Sequence, residues 1–329
     1  MGTVYVGTTG YSHKDWLGPF YPRTLRPGDF LSYYADFFAT CELSHTYHRM
    51  PDAVAFRHLV EKSERRIQFV VKLHQDLSQT DAPPAAALAA FRQALAPLRD
   101  AGVLGGVIAQ YPYAFGPDAR GKDHVKRLRE AFGSIPLVAE LRNGRWFADE
   151  GLRFLRRQGV ALCCVDEPKL DGLLPPLEVV TSEVAYVRFH GRNAERWWRH
   201  TEPSERYHYA YADDELGEWA ARLGRMARQA ERVYAVLGNH VQANAVHDAR
   251  RLLALLAGAG VSCAASPAAP AKALSRRIAA AGRATAATLP RPVLADARLP
   301  ASAAVRPQRS RAPSRPSRAR PSGAARRRA

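Results

Sequence analysis

Short apolar runs that end in polar or glycine residues recur along most of the chain. There are eight such runs, and each has the length of one β-strand. They cover residues 3–8, 41–46, 67–72, 106–110, 137–142, 160–166, 185–190 and 232–238. Most are rich in Val, Ile and Leu without strict alternation, which is typical of parallel strands buried on both faces.

Most gaps between these runs contain apolar residues at helical spacing. The stripes are Phe30, Tyr33, Tyr34, Phe37 and Phe38, then Leu88, Phe91, Leu95 and Leu98, and then Leu216, Trp219, Leu223 and Met226. A strand followed by a helix, repeated eight times in about 260 residues, matches the size of a TIM-type barrel. The sequence therefore predicts an α/β fold of the (β/α)8 class.

A doubly wound open sheet is the alternative arrangement for alternating strands and helices. The count of eight favours the closed barrel. The first strand is also not followed by a dinucleotide-binding motif, because the glycines of Gly7-Thr8-Thr9-Gly10 have the wrong spacing.

Charge is distributed very unevenly along the chain. The 48 basic and 31 acidic residues give 48 − 31 = +17. Residues 271–329 contribute 15 − 1 = +14, whereas residues 1–270 contribute only 33 − 30 = +3. Beyond Cys263 the composition shifts to Ala, Pro, Ser and Arg, which buries too little apolar surface to offset the entropy lost on ordering. We predict a barrel domain over residues 1–264 and a disordered basic C-terminal tail over residues 265–329.

The sequence also predicts a cellular compartment. No run of about 18 apolar residues is present, so we expect no membrane-spanning helix and no membrane partner. The N-terminal residues enter a strand pattern at once, without the regions of a signal peptide. Cys41, Cys163, Cys164 and Cys263 show neither a disulfide framework nor zinc-ligand spacing. These features favour a cytoplasmic protein with reduced thiols.

Polar and charged side chains are concentrated where the predicted strands end. In (β/α)8 enzymes the catalytic residues come from these C-terminal strand ends and the loops that follow them. Period-two alternation places three pairs on shared strand faces: Glu42 with Ser44, Glu140 with Arg142, and Arg188 with His190. The candidate catalytic residues are Glu42, Glu140, Asp166 and His190, and the candidate substrate-binding residues are Lys72, Gln110, Arg142, Trp146, Arg188, Asn239 and His240.

Two interpretations of these charges remain open, and they are compatible with each other. In the first, internal salt bridges fill the barrel, because buried charges are costly unless they are paired. In the second, the residues form a polar site for a small anionic ligand. The carboxylates then act as general acid, general base or metal ligands, while Lys72, Arg142 and Arg188 bind the anionic group.

A divalent metal is an open alternative for the cofactor. His45, His48, His190 and His240, together with the strand-end carboxylates, supply suitable ligand types from several strands. No pair of them has the spacing of a known metal motif, so the sequence assigns no metal.

The segment after the seventh strand, residues 191–211, is long for a loop and rich in aromatic and basic residues. Its aromatic residues either stack on bases or sugars or anchor a lid against the barrel rim. They are Trp197, Trp198, Tyr207, Tyr209 and Tyr211. The exits of strands seven and eight, Gly191-Arg192 and Gly238-Asn239, form a second candidate cradle for an anion.

Several motifs of the chain are recognisable when they are taken together. They are Gly7-Thr8-Thr9-Gly10-Tyr11-Ser12, Trp16, Phe20-Tyr21-Pro22, Glu42 to Pro51, Lys72, Gln110-Tyr111-Pro112, Glu140-Leu141-Arg142 with Trp146-Phe147, Asp166, and Arg188-Phe189-His190-Gly191. Over about residues 3–258 the chain resembles the YecE-like family, catalogued as domain of unknown function 72. The resemblance implies a TIM-type barrel, and it implies no activity because the family has no established one.

The chain departs from the family pattern at several positions. After the second strand, Ser44 and His48 replace the Asn and Tyr that are usual in the family. After the eighth strand, this chain has Gly238-Asn239-His240 where the family usually has Asn-Asn-His. The Thr-His that often follows the third-strand lysine appears as Ser78-Gln79. Such changes alter hydrogen bonding around a ligand.

Two functions remain open, and the sequence does not decide whether the protein is an enzyme. One is a hydrolase-type enzyme that acts on a phosphate- or sugar-containing anion at the barrel mouth, which rests on strand-end polarity and analogy with other barrels. The alternative is a non-catalytic nucleic-acid-binding protein, in which the tail supplies affinity and the aromatic loop stacks on bases. The tail could equally dock on an acidic partner.

Overall fold

The eight strands of the chain close into one parallel barrel, in a computed structural model that describes residues 1–80 and 82–264. Neighbouring strands pair in sequence order, and β8 pairs with β1. The strands are β1 (Thr3–Thr9), β2 (Thr40–Leu43), β3 (Gln68–Lys72), β4 (Leu104–Gln110), β5 (Leu137–Glu140), β6 (Ala161–Asp166), β7 (Val184–Phe189) and β8 (Arg232–Leu237). The predicted (β/α)8 barrel is confirmed, and the alternative of an open sheet is wrong because the sheet has no free edge.

Helices follow seven of the eight strands. Within the described residues the α-helices are α1 (Phe30–Tyr34), α2 (Ala53–Ser63), α3 (Gln75–Ser78), α4 (Ala85–Ala94), α5 (Ala96–Asp100), α6 (Ala119–Phe132), α7 (Asp149–Gln158), α8 (Ala194–Trp197), α9 (Asp213–Met226) and α10 (Asn244–Gly258). Residues 167–183, between β6 and β7, contain no helix. The prediction that a helix follows every strand is therefore wrong for β6. Pro175 and Pro176 lie in this segment, and proline removes a backbone donor that a helix interior needs.

Two strands end at least two residues earlier than the sequence pattern predicts. β2 ends at Leu43 rather than at residue 46, and the chain turns there into a 3-10 helix, His45–Tyr47. The hydroxyl of Thr46 donates to the carbonyls of Leu43 and Lys72, at 3.0 and 2.6 Å, which stabilises the turn. β5 ends at Glu140 rather than at residue 142.

Alternate strand residues point into the barrel and pack as an apolar cluster. The cluster consists of Val70, Ile108, Val138, Ala161, Cys163, Val165, Val184, Tyr186, Tyr234 and Val236. The opposite strand faces pack against the helices in a larger core. Continuing the same alternation along the strands brings further inward-pointing residues to the C-terminal end of the barrel, namely Glu42, Lys72, Gln110, Glu140 and Arg188.

Three further predictions concern the C-terminal tail, membrane-spanning helices and the cysteines. The predicted disordered tail, residues 265–329, lies outside the described residues, and the domain boundary at residue 264 stays a prediction. No helix in the described part of the chain is long and apolar enough to cross a membrane. All four cysteines are free thiols, and three of them are buried.

Candidate functional site

Arg188, on β7, is the centre of a charged cluster inside the barrel mouth. Its Nη2 donates to Glu42 Oε1 at 3.1 Å, and its Nη1 contacts Glu140 Oε2. Both carboxylates are fully buried. Burial alone would lower the pKa of Arg188, but Glu140 and Glu42 outweigh it and raise that pKa well above its ordinary value. Arg188 is therefore a fixed cation that compensates two buried anions.

Glu42, on β2, is enclosed by hydrogen-bond donors. Besides Arg188, Ser44 Oγ donates to Oε1 at 2.6 Å, and Tyr186 Oη donates to Oε2 at 2.9 Å. Each carboxylate oxygen thus accepts at least one hydrogen bond from the protein. This geometry fits the interpretation of an internal salt bridge better than a free general base.

Glu140, on β5, extends the cluster toward the surface. Its Oε1 contacts Arg142 Nη2 and lies 3.3 Å from His190 Nε2. Burial would raise the pKa of Glu140, but Arg188 and Arg142 outweigh it and hold that pKa well below its ordinary value. Arg142 Nη1 also donates to Glu167 Oε2 at 2.7 Å. Because the Arg142 side chain is 22% exposed and that of Arg188 only 9%, Arg142 is the cation that reaches the solvent side.

His190 follows β7 and packs beside the same pair. Its Nε2 lies 3.3 Å from both Glu140 Oε1 and Arg142 Nη2, so either ring tautomer has a partner. Burial lowers the pKa of His190 to about 4, although the hydrogen bond with Glu140 opposes the shift. The imidazole is therefore neutral at pH 7.

Lys72, at the end of β3, has neutral partners. Its Nζ donates to Gln110 Oε1 at 2.7 Å and lies 4.2 Å from the ring centroid of Tyr47. Burial, reinforced by Arg188, lowers the pKa of Lys72 to about 8, against the opposing effect of Glu140 and Glu42. The amine can thus reach its neutral form near physiological pH.

A cavity of about 470 Å³ opens beside this cluster. It is lined by Gln110, Tyr113, Arg142, Glu167, Gly172, Leu173, Leu174, His190, Trp197, Trp198, Arg206 and Tyr207. The cluster and the cavity together hold four cations, Lys72, Arg142, Arg188 and Arg206, and three carboxylates, Glu42, Glu140 and Glu167, so the balance is 4 − 3 = +1. The excess positive charge favours an anionic ligand.

Asp166 does not join the cluster. It accepts hydrogen bonds from Arg192 Nε at 2.7 Å and Nη2 at 2.8 Å, and it contacts the indole nitrogen of Trp219 on α9. Its strand face carries Leu162 and Cys164, which pack toward the helices. The expectation that Asp166 lies with the other carboxylates is wrong, because its side chain points out of the barrel.

Three further predicted site residues are held by packing. Trp146 is fully buried and donates to the Phe115 carbonyl at 2.9 Å. Asn239 is fully buried and donates to Asp248 Oδ2 at 2.7 Å. His240 lies nearer the cavity than these two residues, because its ring centroid is 5.7 Å from that of Tyr207, which lines the cavity.

The segment of residues 191–211 mainly anchors itself against the rim. Trp197 and Tyr211 are buried, whereas Trp198 is 62% exposed at the cavity. The second candidate anion cradle has its donors occupied, since the Gly191 amide donates to Tyr211 Oη and Arg192 pairs with Asp166. Trp197 and Tyr211 thus anchor the loop, whereas stacking of Trp198 on bases or sugars stays a prediction.

Metal ligands do not converge in the described part of the chain. No group of three or more His, Cys, Asp or Glu side chains there has an arrangement that could hold a metal ion. His190 is near the carboxylates, but Arg142 and Arg188 occupy the positions around Glu140 that a cation would need.

Four contributors to the site were not among the candidate catalytic or substrate-binding residues. Tyr186 lies two residues before Arg188, so the period-two rule would have placed it on the same face. Glu167 follows Asp166 directly at the strand end. Tyr47 and Arg206 lie in short 3-10 helices within the connecting segments, which are too brief for a periodic pattern to indicate which side chain turns inward.

Comparison with known proteins identifies the family. The family model described as "Protein of unknown function DUF72" matches residues 5–274. The chain belongs to the DUF72 family. The UPF0759 protein YunF of Bacillus subtilis (strain 168) is 27% identical over 273 residues, which is 77% of this chain and 94% of the relative.

Solved structures of DUF72 proteins have the same fold. A DUF72 family protein from Thermotoga maritima MSB8 is 32% identical, with a TM-score of 0.71, and the match covers 78% of this chain and 99% of that one. A DUF72 family protein from Enterococcus faecalis V583 is 24% identical, with a TM-score of 0.69, over 78% of this chain and 96% of that one. The predicted resemblance is confirmed, and the DUF72 assignment brings no activity with it.

Proposed function

We propose that this DUF72 barrel is a hydrolase-type enzyme that binds a small phosphate- or sugar-containing anion in the mouth cavity. The observation that carries the proposal is the pair of cations on the cavity wall. Arg142 is partly exposed there, and Arg206 has a buried Nε without a hydrogen-bond partner in the described structure. Guanidinium groups bind phosphate and carboxylate oxygens through two parallel hydrogen bonds.

The buried cluster supports this role by holding Arg142 in place. Glu140 and Glu167 each accept a hydrogen bond from one terminal nitrogen of its guanidinium, and Arg142 lines the cavity. Arg188 keeps Glu140 charged, and Glu42 keeps Arg188 in position. A guanidinium fixed in this way loses little side-chain entropy when it binds an anion.

Lys72 supplies the proton transfer that hydrolysis needs. When neutral, its amine accepts a proton from the attacking water, and Gln110 orients the amine. A base with a pKa of about 8 combines a usable neutral fraction at physiological pH with sufficient basicity.

The test uses the full chain, with inorganic phosphate and ribose 5-phosphate as probes in isothermal titration calorimetry. Arg206→Gln should weaken binding about tenfold to a hundredfold, the value of one to two charge-assisted hydrogen bonds. The matched control is Arg225→Gln, because Arg225 pairs with Glu178 on an exposed face. Hydrolysis of p-nitrophenyl phosphate should be lost in Lys72→Met while phosphate still binds. Absence of anion binding by the unaltered chain would refute the proposal.

A second candidate function is nucleic-acid binding without catalysis. The observation in its favour is that Trp198 and Tyr113 are 62% and 66% exposed at the cavity rim, where aromatic faces can stack on bases. Binding of single-stranded DNA should weaken with rising salt and drop in Trp198→Ala. Equal affinity of this variant and the unaltered chain at every salt concentration would show that Trp198 does not contribute to nucleic-acid binding.

A further inference from the structure

Lys72 differs from the other cations of the mouth in its partners. Arg142 and Arg188 take up all three carboxylates of the cluster, Glu42, Glu140 and Glu167. Among the described residues, no carboxylate oxygen lies within salt-bridge distance of Lys72 Nζ. Its contacts are instead the neutral amide of Gln110 and the ring face of Tyr47.

The position of the amine also places it beside the ligand cavity. Gln110 lines the cavity, and Lys72 Nζ is one hydrogen bond of 2.7 Å behind it. The side chain is half-buried at the last residue of β3, in the layer where barrel enzymes carry reacting groups. The amine thus contacts a residue of the cavity wall and is partly shielded from water.

We infer that Lys72 is an amine nucleophile that forms an imine with a carbonyl-bearing anion, such as a 2-oxo acid, bound in the mouth cavity. The inference rests on the anion site of the proposed function. It gives the lysine a second use, because the lone pair that accepts a proton from water attacks a carbonyl carbon when the bound anion carries one.

The reaction balances without an external oxidant or reductant. The nitrogen lone pair forms a C–N bond to the carbonyl carbon while the C=O π pair moves to oxygen, and the oxygen takes up the first of the two protons that the amine nitrogen gives up. The hydroxyl then leaves as water with the second of these protons, and the nitrogen lone pair completes a C=N bond to Lys72. The carboxylate of the 2-oxo acid meanwhile binds to Arg142 and Arg206.

The surrounding charges set the reactivity of this amine. Burial, Arg188 and Arg142 favour its neutral form, whereas Glu140 and Glu42 favour the ammonium. Because an ordinary lysine titrates at about 10.4, an amine with a pKa of about 8 has a much larger neutral fraction at pH 7.5. Its lower basicity offsets part of the gain, so we expect roughly a tenfold advantage in reactivity.

The experiment is trapping with pyruvate and sodium cyanoborohydride on the full chain, followed by peptide mapping with mass spectrometry. Reduced adduct at Lys72 should exceed that at Lys169, an exposed lysine, by roughly tenfold. Adduct at position 72 should vanish in Lys72→Arg and persist in Lys169→Arg. Even labelling of all lysines, or no label at Lys72, would overturn the inference.

The two proposals fail in different ways. Inorganic phosphate should protect Lys72 from pyruvate, and this protection should weaken in Arg206→Gln. If phosphate binds in an Arg206-dependent manner but Lys72 remains unlabelled, the anion site stands and the imine chemistry is wrong. If pyruvate labels Lys72 and phosphate neither binds nor protects, the imine chemistry stands without the proposed anion site.

Discussion

Glu42 Oε1 and Arg188 Nη2 lie 3.1 Å apart inside the barrel, although 146 residues separate them in the chain. Glu42 comes from β2 and Arg188 from β7, which are not neighbouring strands in the barrel. The pair therefore bridges the interior, and Arg188 continues the bridge to Glu140 on β5. Charge inside the mouth is thus organised by one guanidinium between two carboxylates.

Removing this guanidinium should be strongly destabilising. We expect Arg188→Met to lower the free energy of unfolding by about 3–5 kcal/mol, because two buried carboxylates lose their cation. Urea denaturation measures the change. The control Arg225→Gln breaks an exposed pair and should cost no more than about 1 kcal/mol. Similar losses in the two variants would contradict the prediction.

The hydroxyl of Tyr186 should contribute through Glu42. Tyr186→Phe removes the hydrogen bond to Oε2 and should cost about 1–3 kcal/mol in unfolding free energy. The matched control is Tyr111→Phe, because the buried Tyr111 hydroxyl has no hydrogen-bond partner in the described structure. Loss of the Tyr111 hydroxyl should leave the unfolding free energy almost unchanged. An equal cost for both substitutions would contradict the prediction that the hydrogen bond from Tyr186 to Glu42 stabilises the fold.

Asp166 should matter for stability and not for ligand binding. Asp166→Asn weakens the contacts with Arg192 and Trp219 that join β6 to α9, so we expect a loss of about 3 kcal/mol or more. Phosphate affinity, measured by calorimetry under native conditions, should remain within about twofold of the unaltered chain. A much larger loss of phosphate affinity would show that Asp166 contributes to ligand binding.

The pH dependence of stability should reveal the lowered pKa of Lys72. Its pKa in the folded protein is about 8, lower than the 10.5 of an unperturbed lysine, so the unfolded chain binds more protons between these values. The contribution of Lys72 to the free energy of unfolding therefore rises with pH across this interval, and it is lost as pH falls through about 8. Burial raises the pKa of thiols such as Cys41 and Cys164, which has the opposite effect on stability, so the test is the difference in unfolding free energy between the unaltered chain and Lys72→Met, measured by urea denaturation. This difference should change with pH between about 8 and 10.5, whereas the difference from Lys169→Met should stay constant. A constant difference for Lys72→Met would contradict the prediction.

Much of the site could be predicted because strand alternation is a local property. Glu42, Glu140, Arg188 and His190 were expected near each other, and the structure brings them together around Arg188. Partners such as Arg206, in the 3-10 helix Pro203–Tyr207, come from connecting segments whose path depends on packing against distant elements. No local pattern carries that information.

The sequence by itself determined the number of strands, their parallel pairing and the polar character of the barrel mouth. The tertiary structure alone decided which strand face is inside. β6 is buried along its whole length, so its apolar residues do not distinguish the two faces. Asp166 consequently looked equivalent to Glu140 in the sequence, yet it points toward α9 while Glu140 points into the barrel. Only the closure of the sheet assigns these directions, because it fixes which residues face the shared interior and which face the helices.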